Sequence, residues 1–322
     1  MGSLIYDREN PGNVSEFSIQ GFSDVPGLQL PLFVLFLGTY LAILMGNLTI
    51  FIVITFSSHL HTPMYIFLLN LALMDVSFAT DILPNLLYMV FTNQRTISFS
   101  GCLSQMYLFI SLVTHEYLLL AIMAYDRYIA ICDPLHYITR MNLKHCAWLI
   151  AAVWLTGFLV TSGHPVLISK LSYCSSHLVT YIFCDVTPLL QLSCSDTFYV
   201  QMLTYIDGAL LAVNSFLLTL TSYIFILSTI LRIRTTEGRQ KAFYTCSSHL
   251  ISVAMFYILA VCLYIKPTRI YSPFRDRIVG ILYVVLIPML NPLIYTLKNR
   301  EFQSAFKKLM QTFNLIIFHK QH

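Results

Sequence analysis

The sequence predicts an all-α membrane protein: a seven-transmembrane helix bundle followed by a short amphipathic eighth helix. Three observations carry that expectation: the composition, the number of long apolar runs, and the placement of the charges. Of 322 residues, 57% are hydrophobic and only 11% are charged, against about 45–50% and about 25% in a soluble globular domain. A mean hydropathy of +0.71 excludes an ordinary cytosolic enzyme, a disordered chain and a nucleic-acid binder. With 14% aromatic residues and 12 Gly, collagen-like and linker-like chains are excluded as well.

Residues 1–27 are polar and acidic. They lack the basic start and early apolar run of a cleavable signal, so the first span is expected to direct insertion. Asn13-Val14-Ser15 is a glycosylation sequon that would place this segment in the lumen. A second sequon, Asn47-Leu48-Thr49, lies inside an apolar run. Crossing about 30 Å of hydrocarbon takes roughly 20 apolar residues, and such runs fall at 28–56, 63–90, 99–131, 146–168, 198–231, 241–265 and 274–297. They are continuous rather than alternating, unlike the strands of a membrane barrel. Pro63, Pro84, Pro288 and Pro292 sit on them, as a helical bundle tolerates.

Charge sets the orientation. On this reading 12 of the 19 Lys and Arg fall on one side, with the 232–241 loop and the tail, and such a bias favours the cytoplasm. An outside N-terminus and an inside C-terminus require an odd number of crossings, which seven satisfies. After the last span, Phe302, Ala305, Phe306, Leu309, Met310 and Phe313 recur at helical spacing with Lys307 and Lys308 opposite, the pattern of a helix lying on a membrane surface. The organisation is therefore an extracellular N-terminus (1–27), a membrane domain (28–297) and a cytoplasmic amphipathic helix and tail (298–322). The loops leave no room for a soluble catalytic domain.

Several side chains stand out against this apolar background. Asp126-Arg127 ends the third span, where the pair can be held without deep burial and exchanged for another partner. Asp75 and Glu116 lie mid-span, where an unpaired charge is costly, so each should face the interior. Two close carboxylates would share a proton or a cation, or else form a protonated structural network. Asn291-Pro292 places a polar side chain beside a carbonyl-freeing proline. Cys102, Cys174, Cys184 and Cys194 fall on the lumenal side, where three pairings are open. Cys132, Cys146, Cys246 and Cys262 should stay reduced.

Four motifs appear in order on the expected spans. Leu60-His61-Thr62-Pro63-Met64-Tyr65 leads to Asp75. Met123-Ala124-Tyr125-Asp126-Arg127-Tyr128-Ile129-Ala130-Ile131-Cys132 is followed by Asp133-Pro134-Leu135-His136-Tyr137. Lys241-Ala242-Phe243-Tyr244-Thr245-Cys246-Ser247-Ser248-His249-Leu250 opens the sixth span, and Pro288-Met289-Leu290-Asn291-Pro292-Leu293-Ile294-Tyr295 closes the seventh. Together they resemble the signature set of vertebrate odorant receptors, in the class II (terrestrial) branch of the rhodopsin-like, class A G-protein-coupled receptors. Two positions depart from the family pattern: Tyr244 stands where Ser is usual, and Asn85 where Lys is frequent.

The resemblance implies roles. Asp126, Arg127 and Tyr128, with Tyr223, Asn291, Pro292 and Tyr295, would form the coupling switch. Asn47, Asp75, Glu116 and Asn291 would surround a sodium or proton site, with no other cofactor or metal. The disulfides would be Cys102–Cys184 and Cys174–Cys194, and Asn13 would carry the glycan. The odorant pocket would be mostly apolar, drawn from Phe109, Ile110, Val113, Thr114, Leu210, Leu211, Tyr257, Ala260, Tyr264 and Ile281. Asp207 would meet a polar ligand or bond to His164. The seventh span has no interior Lys to hold retinal, and Phe109 occupies the position of the acid in amine receptors.

The implied partners are a small odorant, a stimulatory (olfactory) heterotrimeric G protein that raises cyclic AMP, membrane lipid and a trafficking chaperone, without nucleic acid. The implied location is the plasma membrane of olfactory cilia. A non-olfactory chemoreceptor on the same scaffold is the nearest alternative. An ion or proton transporter would rest only on Asp75, Glu116 and Asp207, without repeat symmetry. An intramembrane enzyme lacks a catalytic set, since Ser248 and His249 are neighbours on one helix.

Overall fold

A computed structural model of the chain describes residues 14–22, 27–174, 177–264, 273–297 and 299–320. Asn13 and the Tyr264 side chain lie outside the described residues. Strand β1 is Glu16–Ile19 and the first spanning helix, α1, is Gln29–Phe56. Helix α2 (Pro63–Thr92) has Pro at its first turn and ends on Asn93 in the left-handed region, a conformation Asn tolerates. Strand β2 (Thr96–Ser98) runs directly into α3 (Phe99–Cys132), whose N-cap Ser98 Oγ accepts from Gly101 N at 3.1 Å.

A short helix α4 (Tyr137–Arg140) precedes the fourth span, α5 (Leu143–Thr161) continued by α6 (Gly163–Ile168). The loop after it contains strand β3 (Leu178–Val179) and helix α7 (Val186–Leu192). The fifth span is α8 (Phe198–Asp207), a π-helical turn over Gly208–Val213, then α9 (Asn214–Arg232). The sixth and seventh spans are α10 (Thr236–Tyr264) and α11 (Pro273–Leu297), and α12 (Arg300–Lys320) follows. Seven of these helical segments are long and apolar enough to cross a membrane.

Helix α3 occupies the centre, packing against α2, α5, α9 and α10, while α1 packs on α2 and α11. Two glycines permit close approaches between helices. A Cβ on Gly157 would fall 2.5 Å from His115 Nε2, so its absence lets the buried His115 ring reach the Trp154 carbonyl at 3.0 Å. A Cβ on Gly46 would sit 3.1 Å from Pro292, which seats α1 against the proline of α11. The apolar side chains of α9 that face outward, Leu217, Leu218 and Ile224, are at least half exposed, as befits a surface solvated by lipid.

Three features depart from the sequence reading. The N-terminal segment contains the central strand of a three-stranded sheet, in the order β2-β1-β3. Glu16, Phe17 and Ser18 pair antiparallel with Ser98, Ile97 and Thr96, and Ser18 and Ile19 pair parallel with Leu178 and Val179. Phe17 and Ile19 are fully buried, Phe17 against a tilted Phe99 ring and the edge-on ring of Tyr173. Secondly, α10 begins at Thr236, so most of the expected 232–241 loop is helical. Thirdly, the amphipathic stripe of α12 is divided: Phe302 and Ala305 are buried on the bundle, whereas Phe306 and Met310 remain exposed. The Tyr65 hydroxyl ties α12 to α2 through Asn299 Oδ1 at 3.0 Å and Glu301 Oε2 at 3.2 Å.

Candidate functional site

The bundle has a lid end, carrying β1–β3 and the long loop, and a tail end, where α12 begins. At the lid end the structure contains both Cys102–Cys184 and Cys174–Cys194. Gln105 reinforces the first bond: its Nε2 donates to the Asp81 carbonyl and its Oε1 accepts from Cys184 N, both at 3.0 Å. The loop is thereby pinned across α3, and it drops Phe183 onto Phe109 with ring centroids 4.6 Å apart.

Phe109 is fully buried and its ring also meets Phe78 at 5.3 Å and Tyr283 at 6.3 Å. About two turns deeper, Tyr117 packs on Phe256 at 4.7 Å and Tyr257 at 5.6 Å. The result is an aromatic cluster joining α2, α3, α10, α11 and the lid. Val113, Thr114 and Ala260 are buried near it, and Ile110 and Ile281 are half-buried. Tyr257 reaches across to Ser215 Oγ at 3.0 Å, connecting α10 to α9.

The fifth span departs from expectation. Leu210 is 60% exposed and lies on the outer surface, while Leu211 is half-buried. Both fall within the π-helical turn, whose one extra residue rotates the helix face by about 100° relative to an uninterrupted α-helix. Asp207 Oδ2 lies 3.7 Å from His164 Nδ1, and the His164 Nε2 is 3.3 Å from Thr204 Oγ1. His164 Nδ1 also lies 3.3 Å from the Thr161 carbonyl, and Asp207 Oδ2 is buried without a hydrogen-bond partner among the described residues.

Midway down, Asn291 Nδ2 donates to both oxygens of Asp75, at 3.2 and 3.1 Å. Glu116 is buried alongside. Asn47 does not join that pair; its Nδ2 donates to the carbonyls of Ile43 and Pro288, at 3.0 and 2.9 Å. The Pro288 carbonyl accepts this bond because Pro292 lacks the N–H that would otherwise fill it. Asn47 Oδ1 is buried without a hydrogen-bond partner among the described residues.

At the tail end Arg127 is turned back onto its neighbour. Its Nε donates to Asp126 Oδ2 at 3.0 Å and its Nη2 contacts the same oxygen. The other Asp126 oxygen accepts from the Tyr137 hydroxyl at 2.8 Å. Burial and the adjacent Asp126 carboxylate push the Tyr137 phenol up from its ordinary value, so it stays a neutral donor. Tyr128 is half-buried, with its ring 6.4 Å from Tyr125 and 5.9 Å from Phe225.

Tyr223 bonds His249 Nδ1 at 2.8 Å and reaches the Cys246 carbonyl at 3.3 Å. Tyr295 is buried as well. Tyr137, His249 and Phe183 are thus site residues that the sequence reading missed in these roles. The first two lie within quoted motifs; their partners are set by helix packing, which no spacing rule encodes.

Comparison with known proteins agrees with this architecture. A family model described as "Olfactory receptor" matches residues 36–312. Olfactory receptor 1C1 of Homo sapiens is 45% identical over 304 residues, 94% of this chain and 97% of that protein. Olfactory receptor 8A1 of Homo sapiens is 45% identical over 302 residues, covering 94% and 92%. Olfactory receptor 5AR1 of Mus musculus is 43% identical over 304 residues, covering 94% and 98%. Seven apolar spans and a full-length match of this strength leave one conclusion: the chain belongs to the olfactory receptor family of class A G-protein-coupled receptors, a multi-pass membrane receptor for odorants and not an enzyme.

Proposed function

We propose that this receptor binds small, mostly apolar odorants in the aromatic cluster beneath the lid and activates a stimulatory, olfactory-type G protein to raise cyclic AMP. The carrying observation is the self-contained Asp126–Arg127–Tyr137 contact, which holds the cation inside the bundle and is breakable without unfolding anything. An agonist favouring the state with α10 swung outward would shift the population toward it and free Arg127 for the G protein. On this reading the lid end is extracellular, the tail end cytoplasmic, and the receptor resides in olfactory cilia after chaperone-assisted export.

A sodium ion or a shared proton among Asp75, Glu116 and Asn47 would stabilise the resting state, and its loss would accompany activation. Lipid would contact the exposed apolar faces and the outer side of α12. The test is cyclic AMP in cells carrying the olfactory Gα and a receptor-export chaperone, recorded against a chemically broad odorant panel. A ligand-dependent rise that Arg127→Ala loses at equal surface display is the expected result. A rise that survives Arg127→Ala overturns the role given to that residue.

A further inference from the structure

The lid end contains a cavity that shares no residue with the Phe109 cluster. About 140 Å³ in volume, it lies between β1, α1 and α2, with Leu32, Leu86, Met89 and Val90 as an apolar floor and Asn93 and Arg95 at the rim. The chain builds that rim deliberately. Asn93 stops α2 in the left-handed conformation, φ 57°, which brings its Oδ1 to 2.9 Å from Arg95 Nη2. The Arg95 carbonyl accepts from Ile19 N at 2.8 Å, stitching the rim to β1.

The guanidinium is oriented, among the described residues, by a neutral acceptor, the Asn93 side-chain oxygen. Among the described residues Arg95 has no carboxylate partner. A fixed planar cation above a narrow apolar floor selects an anion with a hydrocarbon tail, and the guanidinium fork matches a carboxylate bidentately. The volume equals about five waters, enough for a short chain and too little for a long fatty acid.

We propose that this cavity is a vestibular binding site for short-chain carboxylates, with Arg95 holding the carboxylate and Leu86, Met89 and Val90 seating the tail. It complements the deeper cluster, whose lining carries no basic residue. The site stands apart from G-protein coupling, because it is read by binding alone.

The test uses the full chain in zwitterionic nanodiscs, with empty nanodiscs subtracted, and measures pentanoate and pentan-1-ol by saturation-transfer NMR. Pentanoate should bind about tenfold more tightly than the alcohol, the usual scale of a charge-assisted hydrogen bond at a part-exposed site. Arg95→Gln should remove that preference and leave the alcohol unchanged. Arg95→Lys, which keeps the charge without the fork, should fall between. Val90→Trp should fill the cavity and abolish both signals, while Lys170→Gln, a charge control at the same end, should alter neither. If Arg95→Gln is not displayed, Arg95→Lys and Val90→Trp decide. Equal affinities in the unaltered receptor, retention of the pentanoate preference by Arg95→Gln, or an equal loss in Lys170→Gln would each overturn the proposal.

Discussion

The lid end and the tail end of this bundle are held together by different kinds of interaction. At the lid, two disulfides, a three-stranded sheet and interlocked aromatic rings fix the loops over the helices. At the tail, a small apolar cluster of Ala124, Tyr223, Ile226, Ile230 and Cys246 is supplemented by single polar pairs: Asp126 with Arg127 and Tyr137, Tyr223 with His249, and Ser248 with the Ile294 carbonyl. Covalent and apolar links hold one geometry over a wide range of conditions. Isolated hydrogen bonds net only about 1 kcal/mol each, so they are exchangeable. The difference teaches where rigidity is useful: a receptor needs a preformed place to receive a ligand and a metastable place to report it.

The sharpest way to break the contrast is at the lid. The Cys102–Cys184 bond closes a sequence separation of 82 residues, so its loss in Cys184→Ser should cost about 4–5 kcal/mol. Surface staining should fall to background. Undiminished display would show that the sheet and the aromatic rings suffice to hold the loop.

Phe17→Ala comes next. Deleting a fully buried ring costs about 3 kcal/mol, and the loss should be confined to the sheet. Hydrogen exchange should accelerate at β1 and β3 while α3 near Arg127 keeps its protection. Equal acceleration at both ends would refute the separation into a rigid and an exchangeable region.

A smaller effect is expected from Tyr137→Phe, which deletes one of the bonds to Asp126. About 1 kcal/mol should move toward the open state, raising ligand-free cyclic AMP by about fivefold at matched display. Unchanged basal signalling would remove Tyr137 from the switch.

The smallest effect is a pH dependence beside the tail end. The His136 hydrogen bond holds the Asp133 carboxyl below its ordinary value, with His136 and Arg140 charges adding to it. A depressed folded-state value means the contribution is present above the ordinary carboxylate value and is lost as pH falls through the lowered one. The Asp133 carboxyl shift followed by NMR should titrate below the usual carboxylate range, and His136→Ala should move the midpoint upward. No movement would assign the shift to another neighbour.

How much of this was legible beforehand varies with the distance over which each feature is encoded. The span positions follow from continuous apolar runs, because lipid imposes a minimum length on any crossing helix. The coupling motif and the mid-span acids were legible because charge in an apolar run is conspicuous. β1 escaped notice, since Glu16-Phe17-Ser18-Ile19 is a four-residue alternation whose partners lie in two loops far along the chain. The π-helical turn escaped as well, since Gly208–Val213 reads as an uninterrupted apolar helix.

By itself, then, the sequence determined that the chain is a seven-span receptor and which residues carry its charge and its cysteines. Those properties are local and one-dimensional: hydropathy over a bilayer's width, and residue types at fixed spacing. Tertiary structure alone decided that Tyr223 meets His249, that Asn47 faces Pro288 rather than Asp75, and that Arg95 lies at the rim of an apolar cleft. Each depends on how helices rotate and approach one another, and packing between distant segments sets those rotations with an energy that no single stretch of chain contains.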